Sequence, residues 1–362
     1  MSKEFNNKLE KSTNLCGGAC QMASRRNFIK NSLLAAGALT LGGWTMNGFA
    51  NTPSRRGAQV ESAYRPRYLD LEASGELERR ERAFWAKMES CSLCPRMCGT
   101  NRMRNRQGIC STGRDFRVAS HGPHFGEERP LVGRHGSGTI FFSNCNLLCI
   151  FCQNWQIAHR GEGRVTTHAE LAAMMISLQR RGAHNINFVT PSHIVPHIVS
   201  ALRLAINQGL NIPILYNSSG YETMEVMQLL DGIVDVYLPD FKYQDSRIAE
   251  RFSQGAQNYT EYAAAAIKEM HRQVGTLDIQ NGIANRGLLI RHLVMPENLA
   301  GTDVFARWVV NELGADTHVN IMGQFRPEFR AREFPPLDRR STPTEFAQAM
   351  RWAREAGLRN FH

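Results

Sequence analysis

The sequence predicts an α/β protein, a partial (β/α)6 TIM-like barrel preceded by a small N-terminal cysteine-rich segment. From residue 139 onward, short apolar runs alternate with helical patterns, and the runs are rich in Ile, Val, Leu and Phe. Strands with this composition are buried on both faces, as in parallel sheets that helices cover. Six such β–α units are fewer than the eight of a closed barrel. We therefore expect the barrel to be open.

The six units can be placed along the chain by their patterns. Strands are predicted at residues 139–142, 186–189, 212–217, 234–238, 288–294 and 318–322. Helices are predicted at residues 168–181, 193–207, 222–230, 259–274, 303–313 and 343–355. Each helix ends near a glycine that can serve as its C-terminal cap, namely Gly182, Gly209, Gly232, Gly275, Gly314 and Gly357. Ligands of such folds gather at the carboxyl ends of the strands.

The chain before the barrel divides into three parts. Residues 1–50 carry Arg25-Arg26 ahead of a mildly apolar, glycine-rich run, and they resemble a twin-arginine (Tat) export signal with a cleavage site after Ala50. An amphipathic N-terminal helix is the alternative. Residues 51–66 are rich in Arg, Ser and Pro and are predicted to be a linker. Residues 67–130 are predicted to hold a surface helix, at 69–88, and the cysteine-rich segment, and residues 131–362 the barrel.

Composition excludes some classes of protein. The chain of 362 residues is 42% hydrophobic, enough for a large core, and its net charge is +10. No block of Lys and Arg is interleaved with aromatic residues, so nucleic acid is not an expected partner. No segment is long and apolar enough for a stable membrane span. The basic charge suits an anionic substrate or solubility.

Three cysteines follow the first predicted strand, in the sequence Cys145-Asn-Leu-Leu-Cys149-Ile-Phe-Cys152. Iron–sulfur clusters take thiolate ligands and normally need four. Three closely spaced cysteines therefore leave one iron free to bind another molecule. Zinc sites favour paired C-x2-C sequences, so a zinc loop or three buried thiols are the weaker alternatives.

A second cysteine group lies at Cys91, Cys94, Cys98 and Cys110. Four thiolates in twenty residues are typical of a structural zinc site or a second iron–sulfur cluster. A small segment with few large apolar side chains needs such a metal to fold, so a structural role is favoured over a redox role. Cys16 and Cys20 would leave with the leader.

The C-x3-C-x-aromatic-C pattern, with Phe151 in the aromatic position, resembles the hallmark of radical S-adenosylmethionine (SAM) enzymes. Other segments are similar to the branch related to pyruvate formate-lyase activating enzyme, and they are residues 91–98, 152–154, 187–193, 216–221 and 238–242. The resemblance implies a [4Fe–4S] cluster held by Cys145, Cys149 and Cys152. It also implies that SAM is cleaved reductively to a 5′-deoxyadenosyl radical, which abstracts hydrogen from a substrate.

The same resemblance implies roles for four further residues. Phe151 would pack near the adenine, and Asn217, Asp240 and Lys242 would line the SAM or substrate site. Strand-end capping or an ion pair is the alternative for these three. Residues 190–193 depart from the Gly-Gly-Glu turn that relatives place there. Arg291 could anchor a carboxylate or form a structural salt bridge.

The implied partners are a low-potential electron donor and a glycyl-radical enzyme or other protein substrate. A peptide or small-molecule substrate is the alternative, and so is an exported, non-enzymatic iron–sulfur electron carrier, although a carrier needs no vacant ligand position. The leader predicts the Tat translocase as a partner and a periplasmic location after cluster loading in the cytoplasm. Because SAM is supplied in the cytoplasm, a cytoplasmic location is the alternative.

Overall fold

The computed structural model describes residues 64–362, in which helices and strands alternate. The helices, numbered in chain order, are α1 (Tyr68–Ala73), α2 (Glu76–Ala86), α3 (Arg129–Val132), α4 (Trp155–Arg160), α5 (His168–Arg180), α6 (Val195–Ile206), α7 (Met224–Leu230), α8 (Ser246–Phe252), α9 (Tyr259–Val274), α10 (Thr302–Glu312) and α11 (Pro343–Ala356). The strands are β1 (Phe116–His124), β2 (Ser137–Phe142), β3 (Arg164–Thr166), β4 (Ile186–Val189), β5 (Ile214–Ser218), β6 (Val236–Pro239), β7 (Asp278–Gln280), β8 (Ile283–Leu293) and β9 (His318–Met322).

Six strands form a parallel sheet in the order β2-β4-β5-β6-β8-β9. These are the six strands that the sequence predicts, and their spatial order follows the chain, as in a barrel. The predicted α/β class and partial barrel are therefore confirmed. Their carboxyl ends share one edge, where the register aligns Phe141 with Val189 and Val189 with Asn217.

Three further strands pair in antiparallel fashion and were not predicted. β1 pairs with β2, β3 with β1, and β7 with β8. The residues of β1 include His, Gly and Pro and are largely exposed after Val118, while β3 and β7 have only three residues each. Such short or polar segments carry no strong strand pattern.

Local capping residues set several helix boundaries. The predicted surface helix at 69–88 is divided into α1 and α2 by Gly75, whose φ of 76° ends one helix and precedes the next. α7 begins at Met224 because the Thr223 side chain accepts a hydrogen bond from the Val226 amide. α6 begins at Val195, with a 3-10 turn, Ser192–Ile194, before it.

The helices before the cysteine-rich segment pack on the barrel. α2 packs against α6 and α7, and Trp85 donates a hydrogen bond to Ser200 Oγ at 3.0 Å. The buried Tyr68 of α1 donates to the Ile212 carbonyl at 2.8 Å. Burial of a large apolar side chain such as Phe84 stabilises the fold by roughly 1.5–3 kcal/mol. The N-terminal helices are thus part of the fold that carries the site.

The predicted leader, residues 1–50, and residues 51–63 of the predicted linker lie outside the described residues. Between residues 64 and 362, no helix has the length and hydropathy required to span a bilayer.

Candidate functional site

The three-cysteine loop, residues 143–152, follows β2 and has an unusual backbone. Asn144 and Leu148 adopt positive φ angles of 72° and 59°. Asn tolerates this conformation better than most residues, and Asn144 is held by bonds from its side-chain nitrogen to Ser111 O at 3.1 Å and to Thr112 Oγ1 at 3.0 Å. Gly161 allows the close approach, because a Cβ there would lie 2.8 Å from Asn144 Oδ1. The loop is therefore fixed against its surroundings.

Two sulfur atoms of the loop accept hydrogen bonds. The Leu147 amide donates to Cys145 Sγ at 3.3 Å, and Ser253 Oγ donates to Cys149 Sγ at 3.2 Å. The Tyr243 hydroxyl is paired with the same serine at 2.8 Å. Hydrogen bonds to ligand sulfur atoms orient the ligands and tune the metal centre. Ser253 and Tyr243 thus belong to the site although they are distant in sequence.

Burial keeps the three thiols protonated when no metal is bound. It raises the pKa of Cys145 to about 11 and that of Cys152 to about 12, and each is raised further by a neighbouring cysteine. Burial also raises the pKa of Cys149, while the Lys242 ammonium acts in the opposite direction on this thiol. A metal that binds here must therefore displace protons.

Asp240 and Lys242 form an ion pair beside the loop. Lys242 Nζ lies 2.7 Å from Asp240 Oδ2, and both side chains are mostly buried. Burial acts to lower the pKa of Lys242, but the neighbouring Asp240 carboxylate outweighs it and raises the pKa above its ordinary value. The Lys242 amide donates to the Tyr259 hydroxyl at 2.9 Å. The ammonium is thus held, charged, near the cysteines.

A cavity of about 920 Å³ opens at the carboxyl ends of the strands. All seven residues that the sequence assigned to the cluster and SAM line it, and they are Cys145, Cys149, Phe151, Cys152, Asn217, Asp240 and Lys242. Thr190 lines it as well. Phe151 also packs edge-on against Tyr243 with a centroid distance of 6.2 Å. The structure brings these predicted residues together, while their roles in binding SAM stay predictions.

Another wall of the cavity carries buried charge. Arg291 Nε donates to Glu128 Oε1 at 2.8 Å, and Arg291 Nη2 donates to Glu127. Asn320 donates to Glu128 at 2.7 Å. Arg291 is therefore in a salt bridge, one of the two roles that the sequence left open. Neither glutamate was foreseen, although the adjacent acids before α3 were visible in the sequence.

Of residues 190–193, Thr190 lines the cavity, whereas Ser192 and His193 do not. Ser192 donates to the buried Glu222, and His193 Nε2 lies 3.0 Å from the Ser143 carbonyl. Burial lowers the pKa of His193 to about 3, and the Arg102 charge adds to this effect. A neutral His193 therefore supports the start of the cysteine loop from outside the cavity.

The four cysteines of the second group are free thiols. Cys91, Cys94 and Cys110 are buried and Cys98 is partly exposed. Burial raises the pKa of Cys91 and Cys94. Within residues 64–362, no three His, Cys, Asp or Glu side chains form a group that could hold a single metal ion as they stand. A metal at this group stays a prediction.

The donor set of the loop suits an iron–sulfur cluster. Three thiols of one rigid loop border a cavity, two accept hydrogen bonds, and Lys242 offsets the negative charge of thiolates. Each iron of a four-iron cluster takes one thiolate, so these ligands need not meet at one point. Cys145, Cys149 and Cys152 would hold such a cluster.

The chain contains a radical SAM superfamily domain. Residues 139–283 match the sequence profile of this superfamily. The chain is 35% identical over 277 residues to the uncharacterized protein MJ0674 of Methanocaldococcus jannaschii, an alignment that covers 75% of this chain and 76% of the relative. A radical SAM domain supports a SAM-cleaving radical enzyme and implies a [4Fe–4S] cluster and SAM as its cofactors.

Two solved structures are similar to parts of the chain. SuiB of Streptococcus suis has a TM-score of 0.39 and 11% identity, with 60% of this chain and 46% of that chain covered. A structure of TYW1 with a lysine–pyruvate adduct bound has a TM-score of 0.35 and 11% identity, with 60% of this chain and 73% of that chain covered. The chain thus spans just under half the length of the Streptococcus suis chain.

Proposed function

We propose that this radical SAM enzyme abstracts hydrogen from a glycine of a partner protein, as an activating enzyme of a glycyl-radical enzyme. The observation that supports the proposal is that Asn217, Asp240 and Lys242 border the same cavity as the cysteine loop. These residues belong to the segments that resemble the activating enzymes. The electron would come from a low-potential donor protein.

The chemistry is divided between cofactors and protein. A [4Fe–4S] cluster held by Cys145, Cys149 and Cys152 would supply the electron for reductive cleavage of SAM, and bound SAM would supply the group that accepts hydrogen. Phe151 offers an aromatic surface to the adenine. The Asp240–Lys242 pair offers a carboxylate and an ammonium, which complement the amino and carboxylate groups of SAM. The buried walls exclude water from a reactive radical.

The size of the cavity suits a ligand as large as SAM. Pockets for one drug-sized ligand have volumes of about 300–1,000 Å³, and this cavity, at about 920 Å³, lies near the upper limit. A short loop of a partner protein would reach the site from the open side of the strand ends.

A second candidate is a peptide or small-molecule substrate with polar groups. The observation that favours it is the buried wall of Glu127, Glu128 and Arg291, since a backbone glycine has no charged group to pair with it. A non-enzymatic, exported electron carrier is the least favoured, because a carrier would not need a three-thiol loop beside a large cavity.

The test is anaerobic reconstitution with iron and sulfide, reduction with dithionite and addition of SAM. We expect formation of methionine and 5′-deoxyadenosine, with no product from the Cys145→Ala/Cys149→Ala/Cys152→Ala variant. Absence of product from the reconstituted wild type would refute the proposal that the protein cleaves SAM. Deuterated substrates then separate the candidates. Transfer of deuterium into 5′-deoxyadenosine from a glycine-labelled partner protein supports an activating enzyme, and transfer only from a labelled peptide or metabolite supports the second candidate.

We also propose that the Tat translocase exports the protein to the periplasm after the cluster is loaded in the cytoplasm. Arg25-Arg26 and the following apolar run support this proposal. The Tat route carries folded proteins, which suits a cofactor assembled before export.

A further inference from the structure

A buried cation that has no anionic partner lies beside Cys91 of the second cysteine group. Arg102 is fully buried, at 0% exposure. Its Nε donates to Gly113 O at 3.0 Å and its Nη1 to His193 O at 2.7 Å. Its Nη2 has no hydrogen-bond partner, and no acidic side chain within residues 64–362 forms an ion pair with it. Buried charges of this kind are normally paired, so a negative group is expected beside Arg102.

The nearest candidate for that negative group is sulfur. Arg102 Nη1 lies 3.9 Å from Cys91 Sγ. Cys91 is in turn a neighbour of Cys98 and of Cys94. Cys94 is also a neighbour of Cys110. Neutral thiols would not balance a guanidinium. Four thiolates outweigh the positive charge of a divalent ion or of an iron–sulfur core. A metal–thiolate centre would therefore supply the missing negative charge.

The backbone beside two of the sulfur atoms carries no side chain. Gly108 faces two of them, since a Cβ at this position would lie 3.0 Å from Cys98 Sγ and 3.8 Å from Cys110 Sγ. Any side chain other than hydrogen would enter the region between these thiols. The glycine thus keeps open the place where metal would bind.

We propose that Cys91, Cys94, Cys98 and Cys110 bind a metal–thiolate centre, either zinc or an iron–sulfur cluster, whose negative charge pairs with Arg102. The thiols are neighbours in pairs and are not gathered about one point. The arrangement therefore does not by itself separate zinc from an iron–sulfur cluster, and the experiment below does. The proposal does not depend on SAM cleavage, because none of these cysteines lines the cavity.

The centre also has a positioning role for the three-cysteine loop. Arg96 lies between Cys94 and Cys98 and donates to the carbonyls of Asn146 at 3.0 Å and Leu147 at 3.0 Å. It also donates to the carbonyls of Ser253 at 2.8 Å and Gln254 at 2.7 Å. A metal bound on either side of Arg96 would fix this arginine and, through it, the loop that holds the SAM cluster.

The test uses the full chain with Cys145, Cys149, Cys152, Cys16 and Cys20 all changed to Ala, purified without oxygen. Zinc, iron and acid-labile sulfide are counted, and X-ray absorption reports the ligands of the bound metal. We expect either about one sulfur-ligated zinc per chain or iron and sulfide in equal amounts. This metal should be lost on further Cys94→Ala/Cys110→Ala substitution. No zinc or iron above the level of that last variant would overturn the proposal.

Circular dichroism and gel filtration show whether each variant is folded. X-ray absorption on the wild-type protein reports the metal ligands without any substitution.

The charge pairing is tested separately with Arg102→Gln, with Arg104→Gln as the matched control, because Arg104 is exposed in the same 3-10 turn. We expect release of the metal to a chelator to be about tenfold faster in Arg102→Gln and unchanged in Arg104→Gln. A tenfold faster release corresponds to an affinity for the metal that is roughly tenfold weaker. Equal release rates in both variants would overturn the pairing with Arg102.

Discussion

At the scale of single residues, Ser253 contacts Cys149, a predicted cluster ligand that lies 104 positions away in the sequence. Its hydroxyl donates to Cys149 Sγ at 3.2 Å. Hydrogen bonds to sulfur stabilise the reduced, more negative state of a cluster. We expect Ser253→Ala to make the reduction potential of the cluster more negative by about 20–60 mV, equivalent to one hydrogen bond of roughly 0.5–1.5 kcal/mol.

Potentiometric titration followed by electron paramagnetic resonance measures this shift. Ser74→Ala is a suitable control, because Ser74 Oγ donates only to the exposed Leu71 carbonyl. A Ser253→Ala potential equal to that of the control would show that this hydrogen bond does not tune the cluster.

The Asp240–Lys242 pair makes a prediction about stability. Removal of one partner of a buried pair leaves the other charge uncompensated, which costs about 3–5 kcal/mol. Because the two side chains are 23% and 17% exposed, we expect Asp240→Asn to lower the free energy of unfolding by about 2–4 kcal/mol. Asp70→Asn breaks an exposed pair with Arg65 and should cost no more than about 1 kcal/mol. Urea unfolding of both variants measures the difference, and equal losses would contradict it.

Asp235 makes a prediction about pH. Burial raises the pKa of this carboxyl to about 7, although the Tyr64 hydroxyl, at 2.6 Å, and the Ile214 amide, at 2.8 Å, act to lower it. An unfolded Asp titrates near 3.9. The folded state therefore binds a proton more tightly, and the stability that this proton provides is complete below about pH 4 and is lost as the pH rises through about 7.

The Asp235→Asn variant cannot ionise at this position, so its stability should not show this loss. We expect the wild type to lose about 1–3 kcal/mol relative to the variant between pH 5 and pH 8. Urea unfolding at several pH values measures the change. Asp278→Asn, at an exposed strand position, should follow the wild type. Parallel curves for wild type and Asp235→Asn would contradict the prediction.

At the scale of elements, the turn between Cys94 and Cys98 supports the three-cysteine loop through Arg96, a contact that we call the Arg96 brace. A guanidinium offers five donors in a planar array, and Arg96 uses them on four carbonyls. We expect Arg96→Gln to destabilise the fold by roughly 2 kcal/mol, since several carbonyls lose a charged donor. It should also speed cluster loss in air. Absorbance decay near 400 nm in air measures that rate, with Arg106→Gln, at an exposed position, as the control. Equal decay in the two variants would show that the Arg96 brace does not hold the loop.

The elements that the sequence predicted are those with a strong local pattern. β4 and β5 are rich in large apolar residues, and α5 and α11 begin at Thr–x–x–Glu capping boxes. The polar β1 and the three-residue β3 and β7 carried no such pattern, because their pairing with β2, β1 and β8 provides their stability.

The residues of the site were likewise predictable only where they belong to a local sequence motif. Cysteine spacing identified Cys145, Cys149 and Cys152, and the resemblance placed Asp240 and Lys242. The supporting contacts of Ser253 and Arg96 could not be predicted, because they join residues 104 and about 50 positions apart. Only the folded chain brings such partners together.

At the scale of the whole molecule, the open barrel leaves the strand ends accessible while burying charge around them. The parallel strands end at β9 on one side, and antiparallel β1 and β3 extend the sheet beyond β2 on the other. The cavity between holds the cysteine loop on one wall and the Glu127–Glu128–Arg291 group on another. A substrate with a cationic group would meet two carboxylates and one guanidinium there, a net negative wall.

The location of the whole chain depends on its first residues. If residues 1–50 are a Tat signal, Arg25→Lys/Arg26→Lys should abolish export, because the translocase reads the arginine pair and not charge alone. The chain contains a matched control, since Arg55→Lys/Arg56→Lys changes a second arginine pair in the predicted linker. Fractionation with an antibody to a C-terminal tag measures the result. We expect the wild type and the control in the periplasm and the Arg25/Arg26 variant in the cytoplasm. All three in the cytoplasm would contradict export and would place the enzyme where SAM and reductants are made.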